Sequence, residues 1–145
     1  MRGEGYRLRL PADWELQRDR MGLPLMARPA RAADPEGWGA DLLTVTVETG
    51  DLRRTCLEGY TLRRLQQMAY HASRFEKLEE EPLELDGAVA TRLVVRYTEG
   101  PRELMAYVLV LQRGKRFVTA TLSSTPERFE FRRVAFRHLV DSLRS

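Results

Sequence analysis

The stretch Leu104-Met-Ala-Tyr-Val-Leu-Val-Leu111 is the longest apolar run in the chain, and it restricts the possible folds more than any other feature. It is too short to cross a bilayer as a helix, which takes about 20 residues, but it suits a buried strand. Successive side chains of a strand point to opposite sides, so a strand apolar throughout needs cover on both. The neighbouring sequence supplies the rest of a sheet. Asp86-Gly87, Glu99-Gly100-Pro101 and Arg113-Gly114 punctuate strand-like runs at Phe75–Leu85, Ala88–Thr98, Leu104–Leu111 and Phe117–Ser123. Asp-Gly favours a two-residue hairpin, because both central positions need φ > 0. Pro82 is expected to interrupt the first of these runs. The whole reads as a β-meander closed by one capped helix.

Two amphipathic segments are available as cover. Thr55-Cys-Leu-Glu58 fits a capping box, with Thr55 bonding the Glu58 amide. Beyond it, Leu57, Thr61, Leu65, Met68 and Ala72 recur at helical spacing, which predicts a helix to about His71. Thr125-Pro126 supplies an N-cap and a first-turn proline. The buried side of that last helix is expected at Phe129, Phe136, Leu139, Val140 and Leu143, with Arg132, Arg133 and Arg137 facing outward.

Ahead of the first helix lie shorter runs. Tyr6–Leu10 alternates until Pro11 and reads as a strand; Trp14–Arg18 and Leu23–Arg28 are two more. Pro29 to Ala40, with two prolines and two glycines, reads as a long loop. Leu42–Glu48 is β-branched and strand-like. The expected fold is therefore α+β, a single domain over residues 1–145: an α/β/α sandwich with a mostly antiparallel sheet and a helix on each face.

Composition limits the partners. Net charge is +3, with basic residues dispersed among 21 acids, which argues against nucleic acid. No run predicts a membrane span. There is no Asn and no Ile, and only two of the 24 basic residues are Lys. Those absences track AT-rich codons and imply a GC-rich, bacterial genome; the scarcity of labile residues would also suit a thermophile. Cys56 is the only cysteine, so no internal disulfide can form, and a cytoplasmic thiol is the simplest reading. Met1-Arg-Gly-Glu-Gly lacks the apolar core of a signal peptide. The expectation is a cytoplasmic protein, or an extracytoplasmic one if a leader has been removed.

Several segments in this order resemble a known superfamily. They are Gly5-Tyr-Arg-Leu-Arg-Leu-Pro-Ala-Asp-Trp14, the Leu42–Glu48 strand, the helix after Thr55, the Leu85-Asp-Gly-Ala-Val-Ala-Thr91 hairpin, Ala120-Thr-Leu-Ser-Ser-Thr-Pro126 and the closing Phe136–Arg144 segment. Together they look like the PsbP/DcrB-like domain, shared with a yeast Ran-binding import factor and with actinobacterial lipoproteins. The resemblance implies the same sandwich and a binding or accessory role. The chain departs from the photosynthetic members in length and leader, so their oxygen-evolving chemistry is not carried over.

Few residues offer chemistry. Cys56, His71 and His138 are the only thiol and imidazoles. Cys56 and His71 would lie about four helical turns apart, roughly 22 Å along the axis. Cys56 and His138 belong to segments expected on opposite faces. Glu79-Glu80-Glu81 has oxygen ligands for a hard cation, but neighbours on a strand diverge. A solvated edge that discourages strand pairing is the expectation there. The Arg pairs 53–54, 63–64 and 132–133 could meet phosphate or acidic groups, or could simply be solvated. Trp14 is read as core. Gly37-Trp38-Gly39 puts a tryptophan in the long loop, either as a partner anchor or folded back over the core.

The resulting expectation is a non-catalytic binding or accessory domain, with no cofactor and no metal, acting on a protein partner as a monomer or weak homo-oligomer. Trp38, Arg28 and Arg31 are its candidate contact residues. The alternatives are a chaperone or adaptor for a secreted effector, and a small-ligand-binding protein or minor hydrolase.

Overall fold

A computed structural model describes residues 2–3, 6–17, 25–29, 41–49 and 56–144. The elements are β1 (Arg2–Gly3), β2 (Tyr6–Arg7), β3 (Trp14–Gln17), β4 (Leu25–Pro29), β5 (Leu42–Thr49) and α1 (Leu57–His71). Then come β6 (Ser73–Leu85), β7 (Ala88–Glu99), β8 (Arg102–Arg113), β9 (Arg116–Ser124), α2 (Pro126–Phe131) and α3 (Arg133–Asp141). Among the described residues β3 to β9 form one seven-stranded sheet in the order β3-β4-β5-β9-β8-β7-β6. Every neighbouring pair is antiparallel. The sheet is two meanders, β3-β4-β5 and β6-β7-β8-β9, and only the second is legible as such in the sequence. The crossover through α1 carries the chain from β5 to the far edge, and β9 returns to lie beside β5.

The doubly apolar run is β8, at the centre of the second meander, and Leu104 to Leu111 are all buried. Its pleat divides the interior into two layers. Met105, Tyr107, Leu109 and Leu111 join Val94, Val118, Leu122 and the helical Phe129, Phe136, Leu139 and Val140. Leu104, Ala106, Val108 and Val110 join Leu93, Val95, Phe117 and Tyr60 of α1. Each fully buried side chain of this size contributes roughly 2 kcal/mol. One helix could cover only half of them, which is why the sheet is sandwiched. Trp14 is partly buried against the first layer.

Four local expectations need correction. The N-cap of α1 is Cys56, whose Sγ accepts from the Gly59 amide at 3.4 Å. The cap is therefore one residue beyond Thr55, which lies outside the described residues. The strand β6 runs through Pro82, which pairs with Thr91. Only β7 flanks β6, and an edge strand tolerates a missing amide. The closing helix is two, because Arg132 leaves helical geometry at φ −106°, ψ 17°. Phe129 and Phe136, on either side of the bend, both reach the sheet layer, while Phe131 and Val134 turn outward. Finally, only Tyr6–Arg7 of the first alternating run is strand. It pairs with Arg2–Gly3 and bridges Arg144 instead of joining the large sheet.

Candidate functional site

The α2–α3 side of the sheet gathers most of the structure's charged geometry, and it begins with a buried anchor. Asp41, fully buried just before β5, accepts hydrogen bonds from Ser124 at the end of β9 and from both prongs of Arg128. Burial works against its charge. The bonds from Arg128 and Ser124, with the nearby charges of Arg128 and Arg132, still hold its pKa below the ordinary value. Thr125 caps α2, accepting the Arg128 amide at 3.4 Å. The first turn of α2 is thereby fixed to both strands beneath it.

Phe129 then packs on Tyr107 with ring centroids 4.8 Å apart, and Phe136 meets Phe129 at 6.2 Å. Phe131, two residues along, is 91% exposed, and Val134 is 60% exposed. Ala135, Arg137 and His138 are exposed beside them. The same two helices therefore bury one aromatic pair and hold a third ring in solvent.

Between α3 and the β6 edge lies a cleft of about 420 Å³, lined by Glu79, Glu80, Glu81, Arg92, Val94, Tyr107, Arg133 and Arg137. The strand register makes it. Glu81 stands opposite Arg92 and Glu79 opposite Val94, which places Glu79 and Glu81 on the α3 side; Glu80 pairs with Leu93 and diverges. Arg92, only 11% exposed at its side chain, bonds Glu81 at 2.5 Å and also Asp141. Arg133 bonds Glu79 and, at 3.3 Å, Glu130. Its guanidinium also stands over the Phe129 ring, 5.7 Å from the centroid. Burial would lower the Arg133 pKa, but the bond to Glu79 and the Tyr107 hydroxyl hold it above the ordinary value. The glutamates read from sequence as a solvated edge are exposed on the edge strand, and two of them, Glu79 and Glu81, also belong to an ion-pair lattice tying α3 to the sheet, while Glu80 bonds Lys77. Arg137 has no hydrogen bond or ion pair among the described residues, so this surface carries one uncommitted cation. Such a surface can hold anionic groups in place, and among the described residues no thiol, imidazole or hydroxyl other than that of Tyr107 lines it.

The other candidates do not converge. Cys56 and His71 occupy opposite ends of α1. His138 is on α3, across the sheet. A second cleft of about 460 Å³ beside α1 is lined by Arg64, Gln67, Met68, His71, Ala72, Tyr97 and Glu99. Arg64, expected off the buried stripe, is half-buried there and reaches Glu48 at 3.5 Å. Burial raises the Tyr97 pKa. Among the described residues no group of three or more His, Cys, Asp or Glu could hold a metal, and no helix is long and apolar enough to span a membrane. Arg28 lies on β4 next to Ala27, which is in the α2–α3 layer, so alternation sends Arg28 to the α1 side. Trp38 and Arg31 lie outside the described residues.

Sequence reasoning missed Asp41 and Phe131. Asp41 meets partners 83 and 87 positions away, and no local pattern marks that. Phe131 did carry a signal, as an aromatic residue off the apolar stripe of its own helix.

No family model matches the chain, and no curated protein matches it in sequence. Its fold does match solved structures. The cyanobacterial PsbP protein of Synechocystis, CyanoP, superposes with a TM-score of 0.75 at 16% identity, over 97% of this chain and 86% of that one. LpqN of Mycobacterium tuberculosis, involved in cell envelope biogenesis, gives 0.67 at 14%, over 95% and 81%. The Saccharomyces cerevisiae Ran-binding protein Mog1p gives 0.65 at 9%, over 97% and 89%. At these identities the likeness establishes a shared PsbP-like α+β fold.

Proposed function

We propose that this chain is a non-catalytic accessory domain that binds a protein partner through the outward side of α2 and α3. The observation that carries this reading is Phe131, 91% exposed while every other phenylalanine on these helices is buried. A large ring left in water on an otherwise well-packed element costs solubility and gives the fold nothing. Aromatic anchors are what protein interfaces use. Val134 extends the apolar patch, and Arg137 beside it has no internal partner among the described residues. The partner segment that fits is an apolar one flanked by carboxylates. The fold is also that of Mog1p, a Ran-binding protein.

The chaperone reading has less support, because the central strands are covered on both faces and leave no apolar sheet surface there for a client helix. Trp38, Arg28 and Arg31 stand as a second proposed contact, with Arg28 on the opposite side of the sheet. An exposed Cys56 supports a reducing compartment, and the cytoplasm is the location proposed; cell fractionation distinguishes it from an extracytoplasmic one.

The test is quantitative affinity capture with the wild-type chain and with Phe131→Ser. The expected result is at least one protein recovered with the wild type and depleted about tenfold with the variant. Identical recoveries with both baits, together with small-molecule turnover abolished by Cys56→Ala or His138→Ala, would overturn the proposal.

A further inference from the structure

The extended segment after β2 and the end of the chain clasp each other, and the clasp gathers positive charge. Arg7 and Arg144 exchange both backbone hydrogen bonds, each 2.8 Å, as directly opposed antiparallel partners. The Arg9 amide donates to Ser142 Oγ at 2.9 Å, which extends the clasp by two residues. In such a pair the opposed side chains share a face, and the residue two positions on shares it too. Tyr6 and Leu8 are buried on the other side. Arg7, Arg9 and Arg144 therefore project together.

They line a pocket of about 470 Å³ with Leu8 and Ser142, and among the described residues no acidic one is part of that lining. Like charges directly opposed across a pair of strands are destabilising. Arg144 is partly satisfied, since its Nη1 donates to the Asp141 and Leu143 carbonyls at 2.8 and 2.7 Å. Among the described residues of that segment the acidic side chain is Asp141, and it is held by Arg92. The Arg7 and Arg9 side chains have no hydrogen bond or ion pair among the described residues. Ser142 Oγ accepts from Arg9 and donates to the Leu139 carbonyl at 2.6 Å, so its proton is committed and the free donors are guanidinium N–H groups.

The geometry points to a binding site for a small soluble phosphate monoester at the Arg7–Arg9–Arg144 cluster. Guanidinium forks match the oxygens of a phosphoryl group, and a dianion offsets the repulsion that the clasp creates. The pocket is larger than a lone phosphate, which leaves space for the alcohol portion of an ester. The surface proposed for a protein partner is separate from it.

Isothermal titration calorimetry at low salt tests this with two probes, glycerol 3-phosphate and inorganic phosphate, on the wild type, Arg9→Gln and, as a control at an exposed arginine outside both surfaces, Arg102→Gln. Arg9 is exposed, so its variant should fold normally. The expected result is saturable binding of glycerol 3-phosphate, weaker binding of inorganic phosphate, and a roughly tenfold loss in Arg9→Gln but not in Arg102→Gln. Absence of saturable binding up to ~10 mM would overturn the site. An equal loss in both variants would do the same, since it would mean general charge attraction. Sedimentation with phosphatidic acid vesicles supplies the last arm: capture by vesicles without binding of the soluble ester would assign the cluster to a membrane surface and reject the ligand proposed.

Discussion

Arg128 grips Asp41 with two parallel bonds, Nε to Oδ1 at 3.0 Å and Nη2 to Oδ2 at 2.9 Å. The carboxylate is fully buried and the guanidinium is not, at 24% side-chain exposure. With the bond from Ser124, the one carboxylate joins the start of β5, the end of β9 and the first turn of α2. Fork-to-fork pairs of this kind are the strong members of their class, and removing one partner leaves the other charge uncompensated.

Asp41→Asn should therefore destabilise the fold by about 3 kcal/mol at neutral pH, measured by urea denaturation. The folded-state pKa of Asp41 lies below its ordinary 3.8, so its stabilisation is complete above that value and is lost as pH falls through the lower one. The gap between wild type and variant should close in acid below pH 3.8 and stay constant above it. A gap that persists unchanged in acid would show that the bonds hold regardless of charge.

At the alkaline end, Tyr60 gives the opposite sign. Burial, reinforced by the nearby Glu48 carboxylate and only partly offset by Thr119 and Arg64, raises its pKa above 10.0. The unfolded chain releases that proton first, so stability falls as pH rises beyond 10.0. The slope can reach about 1.4 kcal/mol per pH unit for each such tyrosine. Tyr60→Phe keeps the ring stacked on Phe117, 4.2 Å between centroids, and should flatten the decline. Tyr97, raised for the same reason, would account for what remains.

Phe129 and Phe131 should separate stability from binding. Phe129→Ala removes a fully buried ring and should cost about 3–5 kcal/mol. Phe131→Ser should change stability by less than about 0.5 kcal/mol in the same denaturation assay while abolishing partner capture. A large stability loss in the second variant would make Phe131 a packing residue and remove the main support for the proposed interface.

Gly87 isolates a backbone effect. It sits at φ +80° after Asp86 at φ +52°, the two positions of the hairpin turn between β6 and β7. A Cβ there would meet no atom within 4 Å. Gly87→Ala should cost about 1 kcal/mol from backbone strain alone, with no change in spectroscopic signature.

That turn also shows what the sequence makes legible. Asp-Gly has one favoured geometry whatever surrounds it, and the second meander follows from such turns and from the apolar run at Leu104–Leu111. The two covering helices follow from periodicity. What periodicity could not give is where separate stretches meet. Nothing local joins Asp41 to Arg128, or Glu79 to Arg133. The place of β5 beside β9 is equally silent, because both strands are apolar on one side and their pairing is settled by the crossover. The bend at Arg132 was hidden for another reason. Phe129 and Phe136 are seven residues apart, two full turns, and fit one straight helix as well as two bent ones.

The ladder between β5 and β9 has a consequence for how the chain assembles. Leu42 and Ser123 meet across 81 positions, whereas the hairpins from Ser73 onward close over a few residues each. Long closures cost more entropy and slow folding, so the later meander can form by itself and offer β9 as a template. A ribosome delivers the chain in the reverse order. Residues of β3 to β5 emerge first, and β5 must keep the edge that faces β9 unpaired until that template has been made, which makes nascent-chain exposure of this edge a built-in cost of the topology.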